Sequence, residues 1–246
     1  WCASSTIGQP KAKNEFDVIV VGSGIGGLAC ASLLANKGYK VLVLEQHHQV
    51  GGYCTSYQRD GFTFSAGVTD VSGISELGPI TYLLNQLKLN KDDLFVPHTR
   101  TYIVNGKKLT FTGTKDYNVQ LLAQHFPEEA AAIKRFFDEA DNAYQEARSD
   151  AKIYGVPLVS PDLRNKLYTP EDHQKYPTTH ATYLKWKSMT FAQLLDEFFH
   201  DQQLKKLFAD LLGYIGTTPE TTSGVKALGA CLSYFIYGGY YPKGSA

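Results

Sequence analysis

Six residues near the start of the chain, Gly22 to Gly27, have the spacing of a phosphate-binding loop. They read GSGIGG and fit the pattern GxGxxG, with glycine at positions 22, 24 and 27. In such a loop the first glycine permits a tight turn, the second lets the backbone approach a pyrophosphate, and the third lets a helix pack on a sheet. The predicted chemistry is the binding of a dinucleotide, with its phosphates at a helix N-terminus.

A carboxylate follows at the distance along the chain that suits a ribose contact. Glu45 is 18 residues after Gly27, and Gln46 is beside it. An acid in this place accepts hydrogen bonds from a ribose diol. Its negative charge would repel a 2′-phosphate, which argues against NADP at this site.

The elements that must position these residues form a predicted βαβ unit. Residues 17–21 and 41–44 are short apolar runs that predict buried strands, and residues 25–37 have helical periodicity. Gly38 follows the helix where a C-terminal glycine is expected. Because strand, glycines, helix, second strand and acid occur in this order, the sequence favours a dinucleotide site over a turn that binds nothing.

A second glycine pair, Gly51-Gly52, comes soon after the acid, and a hairpin with its turn at Asp60-Gly61 follows. A glycine pair lets the backbone pass close to an extended ligand. NAD sites have no general need for this, whereas a longer, buried FAD does. The sequence therefore favours FAD over NAD.

This stretch resembles the opening of the FAD-dependent phytoene desaturase, carotenoid isomerase and retinol saturase-type oxidoreductases. The family pattern runs roughly E-x(5)-GG and then G-F-x-F-D-x-G. Ser65 and Thr69 depart from it, where the family often has Asp and several members have His. The residues that carry the resemblance are Glu45, Gly51-Gly52, Gly61-Phe62-Thr63-Phe64 and Gly67.

The resemblance implies FAD as the cofactor and assigns residues to its parts. The pyrophosphate would be held by Gly22, Ser23, Gly24, Ile25, Gly26 and Gly27. The adenosine ribose would be bound by Glu45, with Gln46 beside it. The cofactor would be lined by Gly51, Gly52 and Tyr53, and its flavin would be approached by Gly67, Val68 and Thr69.

Later in the chain, Asn105-Gly106 predicts a second hairpin, with a type I′ turn. Thr190 is a predicted N-cap, and the helical residues after it, Leu194, Leu195, Phe198 and Phe199, are expected to face inward. The segment 155–180 is rich in proline and polar residues and is expected to be a long loop.

The predicted fold class is α/β. It is a Rossmann-like FAD-binding domain of the amine-oxidase-like (GR2) type, with an inserted α+β, mainly helical substrate domain. The predicted parts are a tail (1–15), the first FAD-binding segment (16–95), a helical substrate region (96–235) and the start of a return to the FAD domain (236–246). In the family this return leads into more sheet and a late glycine motif. The C-terminal part of the fold is therefore expected to be absent, and a second chain is one way to complete the FAD domain.

Composition excludes several other functions. Acidic and basic residues number 24 each, so the formal net charge is zero and no nucleic-acid partner is predicted. The four cysteines are scattered, and the adjacent His47-His48 would point to opposite sides of a strand, so neither a disulfide framework nor a metal site is predicted. No apolar run approaches the ~20 residues that span a bilayer.

The resemblance implies an enzyme that acts on a lipophilic unsaturated substrate, such as a carotenoid or retinoid, by desaturation, saturation or isomerisation through hydride exchange with flavin N5. Side chains of the inserted helices would line a substrate channel reached from a membrane surface, so peripheral membrane contact is expected. No acid–base residue is named, because the cofactor carries the difficult step. Three alternatives stay open: a non-catalytic binding or assembly subunit, an amine-oxidase-like flavoenzyme, and an NAD-linked dehydrogenase.

Overall fold

The computed structural model describes residues 15–68, 70–155 and 160–244. The chain divides into two units, the first ending at Val68 and the second running from Thr69 to Ser245. The domain boundaries predicted from the sequence, at 95/96 and 235/236, stay a prediction.

The first unit contains a parallel strand pair joined by a helix, followed by a hairpin. In the parallel pair Val18 lies opposite Val41 and Val21 opposite Leu44, as expected of a βαβ unit. The hairpin turns at Asp60 and Gly61, both with positive φ, which confirms the predicted turn. The elements are β1 (Val18–Val21), α1 (Ile25–Asn36), β2 (Val41–Leu44), β3 (Ser56–Arg59) and β4 (Phe62–Ser65).

Four strands in the second unit form two antiparallel pairs. One pair is a local hairpin whose turn residues, Asn105 and Gly106, have φ of 51° and 74°, the signs that a type I′ turn requires. The other pair joins distant parts of the chain, with Phe95 opposite Pro242. The strands are β5 (Phe95–His98), β6 (Arg100–Val104), β7 (Lys107–Phe111) and β8 (Gly239–Pro242).

Helices make up most of the second unit. A one-turn 3-10 segment, Pro127–Glu129, precedes α5, and a two-turn 3-10 segment, Asp210–Ile215, follows α10. A π-helical turn, Leu228–Leu232, lies between the last two α-helices. The helices are α2 (Pro79–Gln86), α3 (Lys91–Leu94), α4 (Lys115–His125), α5 (Ala130–Tyr154), α6 (Pro161–Leu167), α7 (Pro170–Thr179), α8 (Ala181–Ser188), α9 (Phe191–Phe198), α10 (Gln202–Ala209), α11 (Gly224–Ala227) and α12 (Ser233–Tyr237).

The core of the second unit is aromatic and lies around α5. Phe136, near the start of that helix, is fully buried, and its ring meets those of Trp186, Phe199 and Phe208 at centroid distances of 5.0 to 5.6 Å. Such contacts add to the free energy gained from apolar burial. The residues that the sequence placed inward on and after α9 are buried, which confirms that prediction: Leu194, Leu195, Phe198 and Phe199.

The expectation of a long loop over 155–180 was wrong. Residues 156–159 lie outside the described part of the chain, but α6 and α7 occupy most of the remainder. Pro161 and Pro170 each stand at the start of a helix, where their fixed φ suits the first turn and the missing N–H is not needed. Thr169 and Asp172 complete a capping box at the start of α7. Prolines that read as loop signals are therefore helix starts.

Within the described parts of the chain, no helix has the length and apolarity that crossing a membrane requires. The same residues contain no group of three or more His, Cys, Asp or Glu side chains that could hold a metal ion.

Candidate dinucleotide-binding site

The first and third glycines of the loop are required by the fold itself. Gly22 leaves β1 with φ of +93°, a conformation that side chains rarely adopt. A Cβ on Gly27 would lie 2.1 Å from the carbonyl oxygen of Gly22, which is backbone and cannot move aside cheaply. Glycine at 27 thus lets α1 start directly against the turn that follows β1.

The presence of glycine in the middle of the loop, at positions 24 and 26, has a different explanation. A Cβ on Gly24 or Gly26 would meet nothing within 4 Å. The φ of Gly24 is −64°, which any residue can adopt. Because neither packing nor backbone conformation demands glycine at these positions, the open space is available to a ligand. This is the space that a pyrophosphate needs beside the loop.

The N-terminus of α1 is available for an anion. Its N-cap residue, Gly24, supplies no side-chain hydrogen bond, and the first turn carries no acidic residue. The first N–H groups of a helix have no partner within the helix, and its dipole favours negative charge there. The open space at Gly24 lies at this uncapped helix start, an arrangement typical of anion sites at helix N-termini.

Glu45 is anchored on the same loop. Its Oε2 accepts hydrogen bonds from the Ser23 backbone N–H at 2.8 Å and from the Ser23 hydroxyl at 2.6 Å. Its Oε1 accepts from the backbone N–H of His47 at 2.8 Å. These donors, the Ser23 hydroxyl foremost, lower the pKa of Glu45 to about 2, against a partial desolvation that raises it. Glu45 is therefore ionised, fixed in direction and still partly exposed.

Ser23 has a partner that sequence reasoning missed. Its side chain is fully buried, and its hydroxyl donates to Glu45. The resemblance assigned Ser23 to the pyrophosphate, and that assignment stays a prediction. The signal that could have revealed the pairing is topological, because parallel neighbouring strands place the residues after their carboxyl ends side by side.

The second glycine pair lies against the first loop. The N–H of Gly51 donates to the carbonyl of Ser23 at 2.9 Å, and Gly51 forms a parallel bridge with Gly24. A Cβ on Gly52 would lie 3.1 Å from the Cα of Gly24. Both members of the pair have positive φ. The sequence interpretation invoked close approach to an extended ligand; close approach between the two backbone segments is itself sufficient to require glycine.

The other predicted residues are less closely grouped. Tyr53 is 88% exposed, and a Cβ on Gly67 would lie 3.1 Å from the Tyr53 carbonyl oxygen, so these two residues are neighbours. Gln46 is exposed and Val68 is half-buried at the end of the first unit. Thr69 lies outside the described residues. The flavin-side assignments stay predictions.

A second polar cluster lies in the second unit and was not predicted. The Asp70 carboxylate, whose side chain is 7% exposed, pairs with His98 at 2.7 Å and with Arg100, and it accepts from the Tyr234 hydroxyl at 2.9 Å. The cavity beside it measures only about 10 Å³, room for about one water molecule. The cluster therefore binds parts of the fold together and offers no space for a substrate.

The comparisons with known proteins agree with this geometry. Residues 20–87 match the family described as an NAD(P)-binding Rossmann-like domain. Over 94% of its length the chain superposes on a putrescine oxidase triple mutant with a TM-score of 0.52 and 21% identity, covering 46% of that protein. At this identity the likeness shows the fold alone, and it confirms the predicted Rossmann-like α/β class.

Two curated relatives match nearly the whole chain. All-trans-retinol 13,14-reductase of Rattus norvegicus is 28% identical over 242 residues, which is 95% of this chain and 38% of the relative. Prolycopene isomerase 1 of an Oncidium hybrid cultivar is 29% identical over 230 residues, 92% of this chain and 37% of the relative. The chain thus spans less than half the length of these relatives. These matches confirm the resemblance to the phytoene desaturase, carotenoid isomerase and retinol saturase-type oxidoreductases that the sequence indicated.

Proposed function

We propose that this chain is the dinucleotide-binding part of an FAD-dependent oxidoreductase acting on a lipophilic unsaturated substrate. The observation that carries the proposal is the reserved space at Gly24, beside an uncapped helix start and near the ionised Glu45. The substrate class is supported by relatives named for retinol and prolycopene.

FAD is preferred over NAD on the resemblance to an FAD-dependent family. The glycine loop does not distinguish them, because both ligands present a pyrophosphate and an adenosine ribose. Glu45 does argue against one dinucleotide, NADP. A carboxylate with a pKa of about 2 is ionised at neutral pH and repels a 2′-phosphate. NADP is therefore the least favoured dinucleotide.

In this proposal the residues of the glycine loop and Glu45 bind the cofactor. The backbone around Gly24 and the first N–H groups of α1 would hold the pyrophosphate, and Glu45, oriented by Ser23, would accept the ribose hydroxyls. Bound FAD would supply hydride exchange between its N5 and a substrate carbon. The protein's part is to bind, orient and exclude water, so no acid–base residue is assigned.

The test is turnover by the full chain supplied with FAD. All-trans-retinol and prolycopene are offered in parallel with putrescine, and substrate loss is followed by absorbance and chromatography. We expect that conversion of the polyenes requires FAD and that its rate is lower in the Gly24→Ala variant. Putrescine should not be converted. Conversion of putrescine alone would overturn the substrate class and favour the amine-oxidase-like alternative. Conversion driven by NAD without FAD would overturn the cofactor.

One observation favours a second candidate, a binding or assembly subunit completed by another chain. Strands β1 and β2 expose apolar side chains, with Val21 at 83%, Ile19 at 57% and Leu44 at 47% exposure. Parallel strands are ordinarily covered on both faces, and exposed apolar patches mark interaction sites. The mass of the native assembly separates the two candidates. A stable complex with a second chain that has no turnover would favour the assembly role, and a catalytically active chain without such a partner would exclude it.

A further inference from the structure

A cavity of about 180 Å³ lies among the helices of the second unit. Its walls come from α5, α6, α7 and α8 and from the turn where α11 passes into the π-helix. None of its lining residues belongs to the predicted dinucleotide site. π-helical turns occur frequently at functional sites, because they displace side chains from regular helical packing.

Arg164, one of the residues that line this cavity, carries an unused hydrogen-bond donor. Among the described residues, its Nε is buried without a hydrogen-bond partner. The guanidinium lies over aromatic rings, with its central carbon 4.2 Å from the ring centre of Tyr176 and 5.7 Å from that of Tyr168. A buried donor without an acceptor is costly, so a ligand acceptor would relieve that cost.

The charge of the lining favours an anion. Arg148, Arg164 and Lys226 are cationic, and Asp150 is the carboxylate among the lining residues. Asp150 is buried and already engaged, since the Tyr168 hydroxyl lies 2.6 Å from each of its oxygens. Its charge reduces the positive field but leaves a cationic excess.

The remaining wall favours an organic body over a bare inorganic ion. Tyr144, Tyr176 and Tyr183 supply aromatic surface, and Val225 and Leu228 supply aliphatic surface. An Arg guanidinium matches the two oxygens of a carboxylate with two parallel N–H donors. The volume of about 180 Å³ is below the ~300 Å³ at which pockets for larger ligands begin.

We propose that this cavity binds a small organic carboxylate whose carboxyl group pairs with Arg164 and whose apolar body packs against the tyrosines. This inference goes beyond the proposed function and does not depend on it. A compound of this size is far smaller than a polyene, so the site is offered as a separate ligand site of the second unit.

Benzoate is the probe, titrated into the full chain by calorimetry at constant ionic strength. Benzyl alcohol has the same ring without the charge, and inorganic phosphate has charge without the ring. We expect saturable benzoate binding and much weaker binding of both controls. Arg164→Gln should weaken benzoate binding about tenfold or more, because it removes a charged hydrogen-bonding partner.

Two further variants separate binding from folding. Lys226→Gln changes an exposed side chain, so it should leave the circular dichroism spectrum unchanged and weaken benzoate binding about twofold to fivefold. Arg59→Gln, in the hairpin of the first unit and 79% exposed, is the matched control and should bind like the wild type. The proposal is overturned if the wild type does not bind benzoate, if a control compound binds equally well, or if folded Arg164→Gln and Lys226→Gln both retain full affinity.

Discussion

At the scale of single residues, the pairing of Ser23 with Glu45 links the glycine loop to the end of β2. The Ser23 hydroxyl and N–H both donate to one carboxylate oxygen, and the His47 N–H donates to the other. Three donors hold the carboxylate in one orientation. Preorganisation of this kind reduces the ordering cost of binding.

This pairing predicts an acid-sensitive loop. The pKa of Glu45 is about 2 in the folded chain, below its ordinary value of 4.5. Ionised Glu45 therefore contributes stability above about pH 4.5, and that contribution is lost as the pH falls toward 2. Urea denaturation should show wild type more stable than Glu45→Gln at neutral pH, with the gap closing in acid. A gap that stays constant with pH would contradict the pairing.

Gly27 and Gly26 form a matched pair for testing the packing argument. A Cβ at 27 would collide with the Gly22 carbonyl, whereas a Cβ at 26 would meet nothing within 4 Å. Gly27→Ala should therefore lower the free energy of unfolding by about 1–3 kcal/mol. Gly26→Ala should leave it unchanged or raise it by up to about 1 kcal/mol, because alanine favours helix. Thermal denaturation of both variants checks this, and equal stabilities would refute the packing argument.

At the scale of elements, local chemistry made several structures predictable. The turns at Asp60-Gly61 and Asn105-Gly106 need positive φ, and their residue types provide it. The βαβ unit was predictable because its apolar runs, glycines and helix stop are all local signals. The segment 155–180 was misjudged because proline marks loops and helix starts alike, and only the capping residues distinguish them.

Long-range elements were not predictable for a physical reason. The β5–β8 pair joins residues 95–98 to residues 239–242, and Asp70 meets Tyr234 across 164 positions. No periodicity or spacing encodes such partners, because they depend on how the helices between them pack. The glycine loop and the acid after β2 could be located from the sequence, whereas the Ser23 to Glu45 contact and the Arg164 cavity could not.

Thr190, predicted as an N-cap and confirmed as one, offers a test of element stability. Its hydroxyl accepts from the Gln193 N–H, and the Gln193 side chain accepts from the Thr190 N–H. Thr190→Ala removes the first bond and should destabilise the second unit by about 1 kcal/mol, whereas Thr190→Ser should be close to wild type. Urea denaturation of the two variants measures these stabilities. A Thr190→Ala variant as stable as the wild type would exclude a capping contribution.

Asn118 ties three elements of the second unit together. Its fully buried side chain accepts from the Thr112 N–H and donates to the carbonyls of Thr112 and Phe235. Asn118→Ala leaves these backbone groups without a partner and should cost about 3 kcal/mol. Asn165→Ala changes an exposed side chain and should stay within about 0.5 kcal/mol of wild type. Comparable losses in the two variants would argue against this role.

At the scale of the whole molecule, the two units have different physical characters. The second has a continuous aromatic core around α5, whereas β1 and β2 of the first keep large apolar side chains exposed. The first unit therefore exposes apolar strand surface, and the second has the packed interior.

The central claim is that the space at Gly24 is reserved for the pyrophosphate of FAD, and one titration tests it most directly. FAD fluorescence is followed while either the wild-type chain or the Gly24→Ala variant is titrated in, and the thermal stability of both proteins is recorded. A methyl group at 24 meets no protein atom within 4 Å, but alanine is a weaker N-cap than glycine. We therefore predict that the variant stays folded with a stability loss of at most about 1 kcal/mol and that its FAD affinity is at least about tenfold weaker. Equal FAD affinity in the two proteins, or no FAD binding by the folded wild type, would contradict the claim.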